Sequence, residues 1–229
     1  TPLTFGTIVG RNVGEYFDAF RRTPMNDWHI ENKAEFENVG QWKRAWYYPK
    51  NNETMHEAVQ RESKAARNSA GILDASTLGK IDIQGTDASE FLNRVYTNAW
   101  SKLAIGKCRY GLMLNEDGMV YDDGVTTRLD ENHYIMTTTT GGAANVLGKL
   151  EDYLQTEWPE LDVYLSSVTD HYATASICGP NSKKILNKLI PDLDLSDESF
   201  PHMSFKNTKI GNIKCRIMRI SFTGEHSYE

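Results

Sequence analysis

The stretch IQGTDASEFLNRV, residues 83–95, has a partner further along the chain, ICGPNSKKILNKL at residues 177–189. The two align without gaps at an offset of 94 residues, with Ile, Gly, Leu and Asn identical and Phe/Ile, Arg/Lys and Val/Leu alike in kind. Each copy reads as a strand, a glycine turn and a helix. A duplicated supersecondary unit implies two related lobes packed together, because one copy alone cannot bury its apolar face. The spacing also predicts a capping box at Asp87-Ala88-Ser89-Glu90, opening a helix with Phe91, Leu92 and Val95 on its buried face.

Working outward from the first copy, GKIDIQG (79–85) alternates Ile81 and Ile83 with polar neighbours, the period of a half-buried strand. Upstream, Met55, Ala58, Val59, Ala65 and Ala66 recur at helical spacing between Glu53 and Ser69. Downstream come three strands. CRYGLML (108–114) enters an Asn115-Glu116-Asp117-Gly118 turn, MVYDDGVTTRL (119–129) returns, and HYIMTTTT (133–140) follows. Gly141-Gly142 then leads into a helix through Leu147, Leu150 and Leu154. The second lobe continues with a strand near 171–178, a helix after Pro180 and a hairpin at Gly211-Asn212. These elements predict an α+β fold of two related lobes, each with an antiparallel sheet and helices. The organisation expected is a lead-in arm at 1–50, a first lobe at 51–165 and a second lobe at 166–229. The lead-in is aromatic-rich and lacks sustained periodicity, so Trp42, Trp46, Tyr47 and Tyr48 pack either on the body of the chain or on another subunit.

Bulk properties exclude several classes. A net charge of -6 argues against a protein that must neutralise nucleic-acid phosphates. No apolar run approaches the roughly 20 residues that span a bilayer, and no secretion signal is expected, since TPLTFGTIVGRNVGEYF has no basic start followed by an apolar stretch. Cys108, Cys178 and Cys215 are far apart and odd in number, so buried reduced thiols and a cytoplasmic setting are expected, with no zinc site. His29, His56, His133, His171, His202 and His226 show no metal-ligand spacing, and no metal is expected. Gly6, Gly10 and Gly14 are evenly spaced but do not form a dinucleotide fingerprint. The chain lacks an initiator Met and stops inside a strand-like pattern, RISFTGEHSYE, so a larger parent is expected at both ends.

The chemistry-bearing feature is YGLMLNEDGMVYDDGV, residues 110–125. Adjacent carboxylates in a strand point to opposite faces, so Asp122 and Asp123 do not form an acid–base dyad. Strict alternation puts Asp123 with Met119, Tyr121 and Val125 on an apolar face, and Asp122 with Val120 and Gly124. A carboxylate on an apolar face needs a donor, such as a ligand nitrogen, or takes up a proton.

GILDASTLGKIDIQG, FLNRVYTNAWSKLAIGKCRYGLMLNEDGMVYDDGV and RISFTGE resemble the alpha subunits of heterotetrameric sarcosine oxidases, as do the lead-in segments TPMNDWHIE and GQWKRAWYYP. The wider group is the aminomethyltransferase (glycine cleavage T-protein) family, and the resemblance runs over essentially the whole chain. It implies the aminomethyltransferase fold, cut before a C-terminal barrel, and a tetrahydrofolate site. It further implies that Asp123 is catalytic and faces the pterin, with Tyr110 and Tyr121 packing nearby and Thr137 and Thr138 reaching the cofactor. Thr223-Gly224-Glu225 stands for the family's TGE element. Glu229 takes the place of its pterin-binding glutamate, and Phe222 stands where relatives often carry a tyrosine. The implied activity is oxidative demethylation of sarcosine, the one-carbon unit passing to tetrahydrofolate with release of glycine. FMN, FAD and NAD belong elsewhere in such a complex, with other subunits as partners and neither nucleic acid nor membrane. Two rivals remain at this level. One is a stand-alone aminomethyltransferase or folate-dependent demethylase, which would have no flavin subunits for the lead-in to dock. The other is a non-catalytic folate-fold module, in which replacing Asp123 would leave turnover unchanged.

Overall fold

The computed structural model describes residues 2–6 and 18–229, so Gly10 and Gly14 lie outside the described residues. Helix α1 (Asn26–Glu31) and the antiparallel hairpin β1 (Glu35–Val39) and β2 (Trp42–Tyr47) come first. Helix α2 (Met55–Asn68) leads to β3 (Gly71–Asp74), β4 (Gly79–Gln84) and α3 (Ala88–Val95). Strands β5 (Cys108–Leu114), β6 (Val120–Asp130) and β7 (His133–Thr138) precede α4 (Ala143–Asp152), which ends in a wider turn at Tyr153–Glu157. The second half holds β8 (Tyr164–Ser167), β9 (Ala175–Cys178), α5 (Ser182–Leu189), β10 (Ser204–Ile210), β11 (Ile213–Arg219) and β12 (Ser227–Tyr228).

The repeat is reproduced at residue resolution. α3 and α5 occupy the same eight positions of their copies. Each follows a glycine in a backbone region closed to other residues, Gly85 at φ +138° and Gly179 at φ +107°. Gly85 N–H donates to Asn132 O at 3.1 Å and Gly179 N–H to His226 O at 2.9 Å, again one offset apart. Ile83 faces Tyr134 across β4–β7, and Ile177 faces Tyr228 across β9–β12, both tyrosines being buried. The hairpins β5–β6 and β10–β11 keep the offset too: Tyr110 pairs with Val125 as Ser204 pairs with Arg219.

The lobes exchange strands. The five-stranded sheet runs β5-β6-β7-β4-β8 and the three-stranded sheet β12-β9-β3. β3, which precedes β4 in the chain, pairs with β9 of the later copy, and β8, which precedes β9, pairs with β4 of the earlier one. All these pairings are antiparallel. The main core lies on one face of the five-stranded sheet, where Ile81, Ile83, Met113, Tyr134 and Met136 meet Phe91, Leu92, Trp100, Val146 and Leu150. Fully burying each of these side chains contributes about 1.5–3 kcal/mol. A smaller core around Leu186, Ile190, Phe200, Ile217 and Tyr228 serves the second lobe.

Three local expectations need correcting. Asp87 occupies the N-cap position of α3, yet its side chain does not cap the helix. With φ -99° and ψ 10° it is not in the extended conformation that folds a capping side chain over the first turn. Its Oδ2 accepts instead from Asp162 N–H at 2.9 Å, tying the loop before β8 to the turn before α3. Glu90 pairs with Arg94 at 2.9 Å, and the capping box of this chain is Thr54 with Glu57, at the head of α2. Second, the lead-in is more regular than its sequence suggests, because α1 and the β1–β2 hairpin account for most of residues 26–47. Trp42 is buried with the Arg21 guanidinium 4.0 Å over its ring, while Trp46 is half exposed. Third, residues 169–171 form a short 3₁₀ turn, so that strand begins only at Ala175.

Candidate functional site

The β5–β6 hairpin is where alternation fails. Asp122 pairs with Met113, but Val120 pairs with Leu114, so Tyr121 is an extra residue in a β-bulge. The bulge turns Tyr121 onto the main core, where Lys149 of α4 sits 4.5 Å over its ring. Asp123 therefore does not share its face with Tyr121, and the carboxylate buried on the core side is Asp122. Asp122 is 6% exposed and fully provided for. Its Oδ1 accepts from Asp123 N–H at 2.7 Å and Thr139 N–H at 3.0 Å, and its Oδ2 from the Thr139 hydroxyl at 2.9 Å. These bonds fasten the end of β7 to the bulge. A Cβ on Gly142 would collide with Oδ2, so the glycine there lets the turn close on the carboxylate.

Asp123 lies on the other face, partly exposed. The Tyr110 hydroxyl donates to its Oδ2 at 2.6 Å, and that bond, with lesser burial, raises the phenol's pKa. No protein donor reaches Oδ1 among the described residues. Tyr110 is 49% exposed, its ring lying along the open side of the hairpin. Beside them, Thr137 Oγ1 accepts from Val125 N–H at 3.0 Å and so substitutes for a backbone ladder bond. Gly124 makes this approach possible, since any Cβ there would meet Thr137 O at 1.9 Å.

Register carries the row further. Tyr110 pairs with Val125, Val125 is bonded to Thr137, and Thr137 pairs with Lys80 of β4. Tyr110, Asp123, Thr137 and Lys80 thus share the sheet face opposite the main core. The second lobe packs against this face: the Thr127 hydroxyl donates to Met218 Sδ at 3.5 Å, and Met218 exchanges both backbone bonds with Glu229. Glu229 interacts electrostatically with Lys80. Burial raises the pKa of its carboxyl, opposed by Lys80 and by a hydrogen bond with Ser176. Burial likewise pushes the Lys80 ammonium down to about 8.

Of the residues named from the sequence, Tyr110, Asp123 and Thr137 therefore share the sheet face on which the second lobe packs, and Glu229 of that lobe acts electrostatically on Lys80 of the same face. Tyr121 and Thr138 lie elsewhere. Thr138 is buried on the opposite face, against Gly79 and Ala143, with its hydroxyl donated to Thr139 O at 2.9 Å. Phe222 is 89% exposed on the turn before β12.

Sequence reasoning missed Lys80, which occupies an ordinary polar position of an alternating strand. It also missed a buried relay under the lead-in. Tyr48 O–H lies 2.7 Å from His29 Nδ1, and His29 Nε2 lies 2.8 Å from Asp74 Oδ2. Burial opposes ionisation of Asp74, but bonds from His29, Ser76 and Thr23 outweigh it and hold the carboxyl below its usual range. Among the described residues no cluster of three or more His, Cys, Asp or Glu could hold a metal, and no helix is long and apolar enough to cross a membrane. Cys108 and Cys178 are buried thiols, with Cys108 raised to about 11 by burial, whereas Cys215 is only partly covered.

Two α+β lobes that exchange strands around one shared face define a domain of the aminomethyltransferase type. The family model described as the GCVT N-terminal domain matches residues 25–229, and the chain belongs to that family. Over its whole length it is similar to the sarcosine oxidase subunit alpha of Corynebacterium sp. (strain P-1), 55% identical over 230 residues. It is also similar to the subunit of that name from Rhizobium meliloti (strain 1021), 47% identical over 232 residues. It spans 24% and 23% of those proteins, respectively. Among solved structures it superposes on the glycine cleavage system aminomethyltransferase T from Bartonella henselae with a TM-score of 0.74 at 23% identity. That match covers 91% of this chain and 52% of the other, and it shows the fold.

Proposed function

We propose that this chain is the folate-binding part of a sarcosine oxidase alpha subunit. In this role it serves oxidative demethylation of sarcosine by passing the one-carbon unit to tetrahydrofolate. The observation that supports the reading is that Tyr110, Asp123 and Thr137 share one sheet face with Lys80, on which Glu229 of the second lobe acts.

These residues fit a reduced folate. Glu229 offers a desolvated carboxylate to the amino and N–H donors of a pterin, a charge-assisted pairing stronger in a dry site than in water. Tyr110 offers an exposed ring beside the carboxylate of Asp123. Phe222, exposed on the turn before β12, stands where a tyrosine would have offered a hydroxyl. Tetrahydrofolate, when bound, would supply the nitrogens that capture the methylene carbon of the imine that a flavin outside this segment forms by oxidising sarcosine, so that methylenetetrahydrofolate and glycine leave.

Asp123 acts as the proton acceptor. Tyr110 fixes one oxygen, and the other, which no protein donor reaches among the described residues, takes a proton from a ligand nitrogen and stabilises positive charge beside it. Asp122 holds the backbone of Asp123 through the Oδ1 bond and so aims that carboxylate without touching the ligand. FMN, FAD and NAD, with the subunits that carry them, are assigned outside this segment, and the exposed Trp46 offers them a contact.

The test is calorimetric titration with tetrahydrofolate under anaerobic conditions, with Asp123→Asn beside the wild type, followed by turnover of the assembled enzyme. The reading predicts wild-type binding and a loss of roughly 10²–10⁴-fold in turnover for the variant. A folded wild type that ignores folate, or a variant with undiminished turnover, would overturn it.

A further inference from the structure

Lys80 is 5% exposed, yet it carries an ammonium group into the packed region between the lobes. Burying an ion is costly unless partners compensate. Two of its N–H groups donate to backbone carbonyls, Leu78 O at 2.9 Å and Ser76 O at 3.2 Å, which lock the side chain in place. An ammonium has three donors. The third has no protein acceptor among the described residues.

Three carboxylates from three different elements act electrostatically on this charge, none of them in contact with it: Glu229 after β12, Asp74 of β3 and Asp170 of the 169–171 turn. Two of them have their own partners. Asp74 is held by His29 at 2.8 Å and Ser76 N–H at 3.0 Å, and Asp170 by Arg21 at 2.7 Å. Glu229 has no ion pair in contact among the described residues, only the bond with Ser176 and the field of Lys80. Cys108 also feels Glu229, and burial keeps its thiol uncharged near neutrality.

We infer that Lys80 is a positioning residue for folate recognition, holding Glu229 ionised and fixed for the pterin ring. The inference rests on the folate reading of Glu229 given above. A pterin presents N–H donors to such a carboxylate, and a protonated acid would set a hydrogen against them. Burial alone drives Glu229 toward that protonated form. Lys80 opposes it from a site pinned by the backbone, so the carboxylate stays charged without spending an oxygen on a contact pair. Asp123 sits further along the same face and is not part of this arrangement.

The experiment is anaerobic calorimetry with tetrahydrofolate on the full chain, from about pH 6 to about pH 9, the window in which a buried acid regains its proton. Wild type, Lys80→Met, Lys80→Arg, Glu229→Gln and Lys80→Met/Glu229→Gln are compared after circular dichroism confirms folding. Wild-type affinity should be nearly flat below about pH 8, where Lys80 keeps its charge. Lys80→Met should bind at least tenfold more weakly at the acid end and recover as pH rises, and Lys80→Arg should restore most of the flat profile. Glu229→Gln should bind weakly at every pH, and the double variant no more weakly than Glu229→Gln alone. A wild-type pH profile in Lys80→Met overturns the inference while leaving the folate site intact. Undiminished binding by Glu229→Gln overturns it through Glu229, and absence of wild-type binding overturns the folate reading itself. If Lys80→Met does not fold, infrared difference spectra of wild type against Glu229→Gln decide the matter. A protonated carboxyl band of Glu229 at neutral pH overturns the inference.

Discussion

Tyr110 donates its hydroxyl to Oδ2 of Asp123 at 2.6 Å, one step diagonally across the β5–β6 hairpin. The bond fixes which carboxylate oxygen is engaged and which is left without a protein donor among the described residues. Tyr110→Phe removes the donor and keeps the ring, so ligand packing survives while Asp123 loses its orientation. A hydrogen bond to a charged group is worth about 1.5–3 kcal/mol, so turnover should fall roughly tenfold or more. Folate affinity should change much less. Steady-state kinetics set beside calorimetry would check this, and an equal loss in both would show that Tyr110 serves binding rather than the Asp123 base.

Asp122 is expected to matter for stability and not for ligand contact. Asp122→Ala strands two backbone N–H groups and the Thr139 hydroxyl, a loss of about 2–4 kcal/mol read from the urea midpoint. Asp122→Asn, which keeps one acceptor oxygen, should lose less. A midpoint unchanged in Asp122→Ala would mean that water replaces all three bonds.

The paired glycines make a symmetric prediction. A Cβ on Gly85 would lie 2.0 Å from Asp162 O, and one on Gly179 would lie 2.4 Å from Ala66 O. Gly85→Ala and Gly179→Ala should each destabilise the fold by about 3 kcal/mol or more, combining backbone strain with a backbone clash. Gly106 also has positive φ, +85°, but its Cβ would meet nothing within 4 Å. Gly106→Ala should therefore cost only about 1–2 kcal/mol. Thermal melts of the three variants side by side would separate strain from collision.

The lead-in is fastened to the body by His29 and Asp74. Asp74 has its pKa lowered by folding, so its contribution to stability is present above the unfolded carboxyl value and fades as pH falls through the folded one. Urea midpoints should therefore drop below about pH 4 in wild type. In His29→Phe, which leaves the buried carboxylate short of a partner, that acid-side drop should shrink while stability at neutral pH falls by about 3 kcal/mol. An unaltered acid limb in His29→Phe would place the acid sensitivity elsewhere.

The helices and the repeat were legible because their signals are local. α3 and α5 fall where Phe91, Leu92 and Val95 and their counterparts put the apolar stripe, and Gly85 and Gly179 mark turns that only glycine makes at low cost. The hairpin at Asp117-Gly118 was equally plain. The faces of β6 were not, because one bulged residue, Tyr121, reverses every inference from alternation on its N-terminal side. The capping box was misplaced at Asp87 for a related reason. The residue types suit a cap, but the carboxylate is claimed by Asp162, 75 residues away in the chain.

What the sequence determined by itself is the pair of strand–turn–helix units, the helix faces, and the family likeness that singles out Asp123 and Glu229. Tertiary structure alone decided that β3 and β8 change places between lobes, that Asp122 and not Asp123 is buried, and that Lys80 lies near Glu229. The division has a physical reason. Propensity, amphipathic period and glycine turns are properties of a few consecutive residues. Strand exchange, a bulge and the field of a buried ammonium exist only once distant segments are packed, where burial sets how strongly charges act on each other.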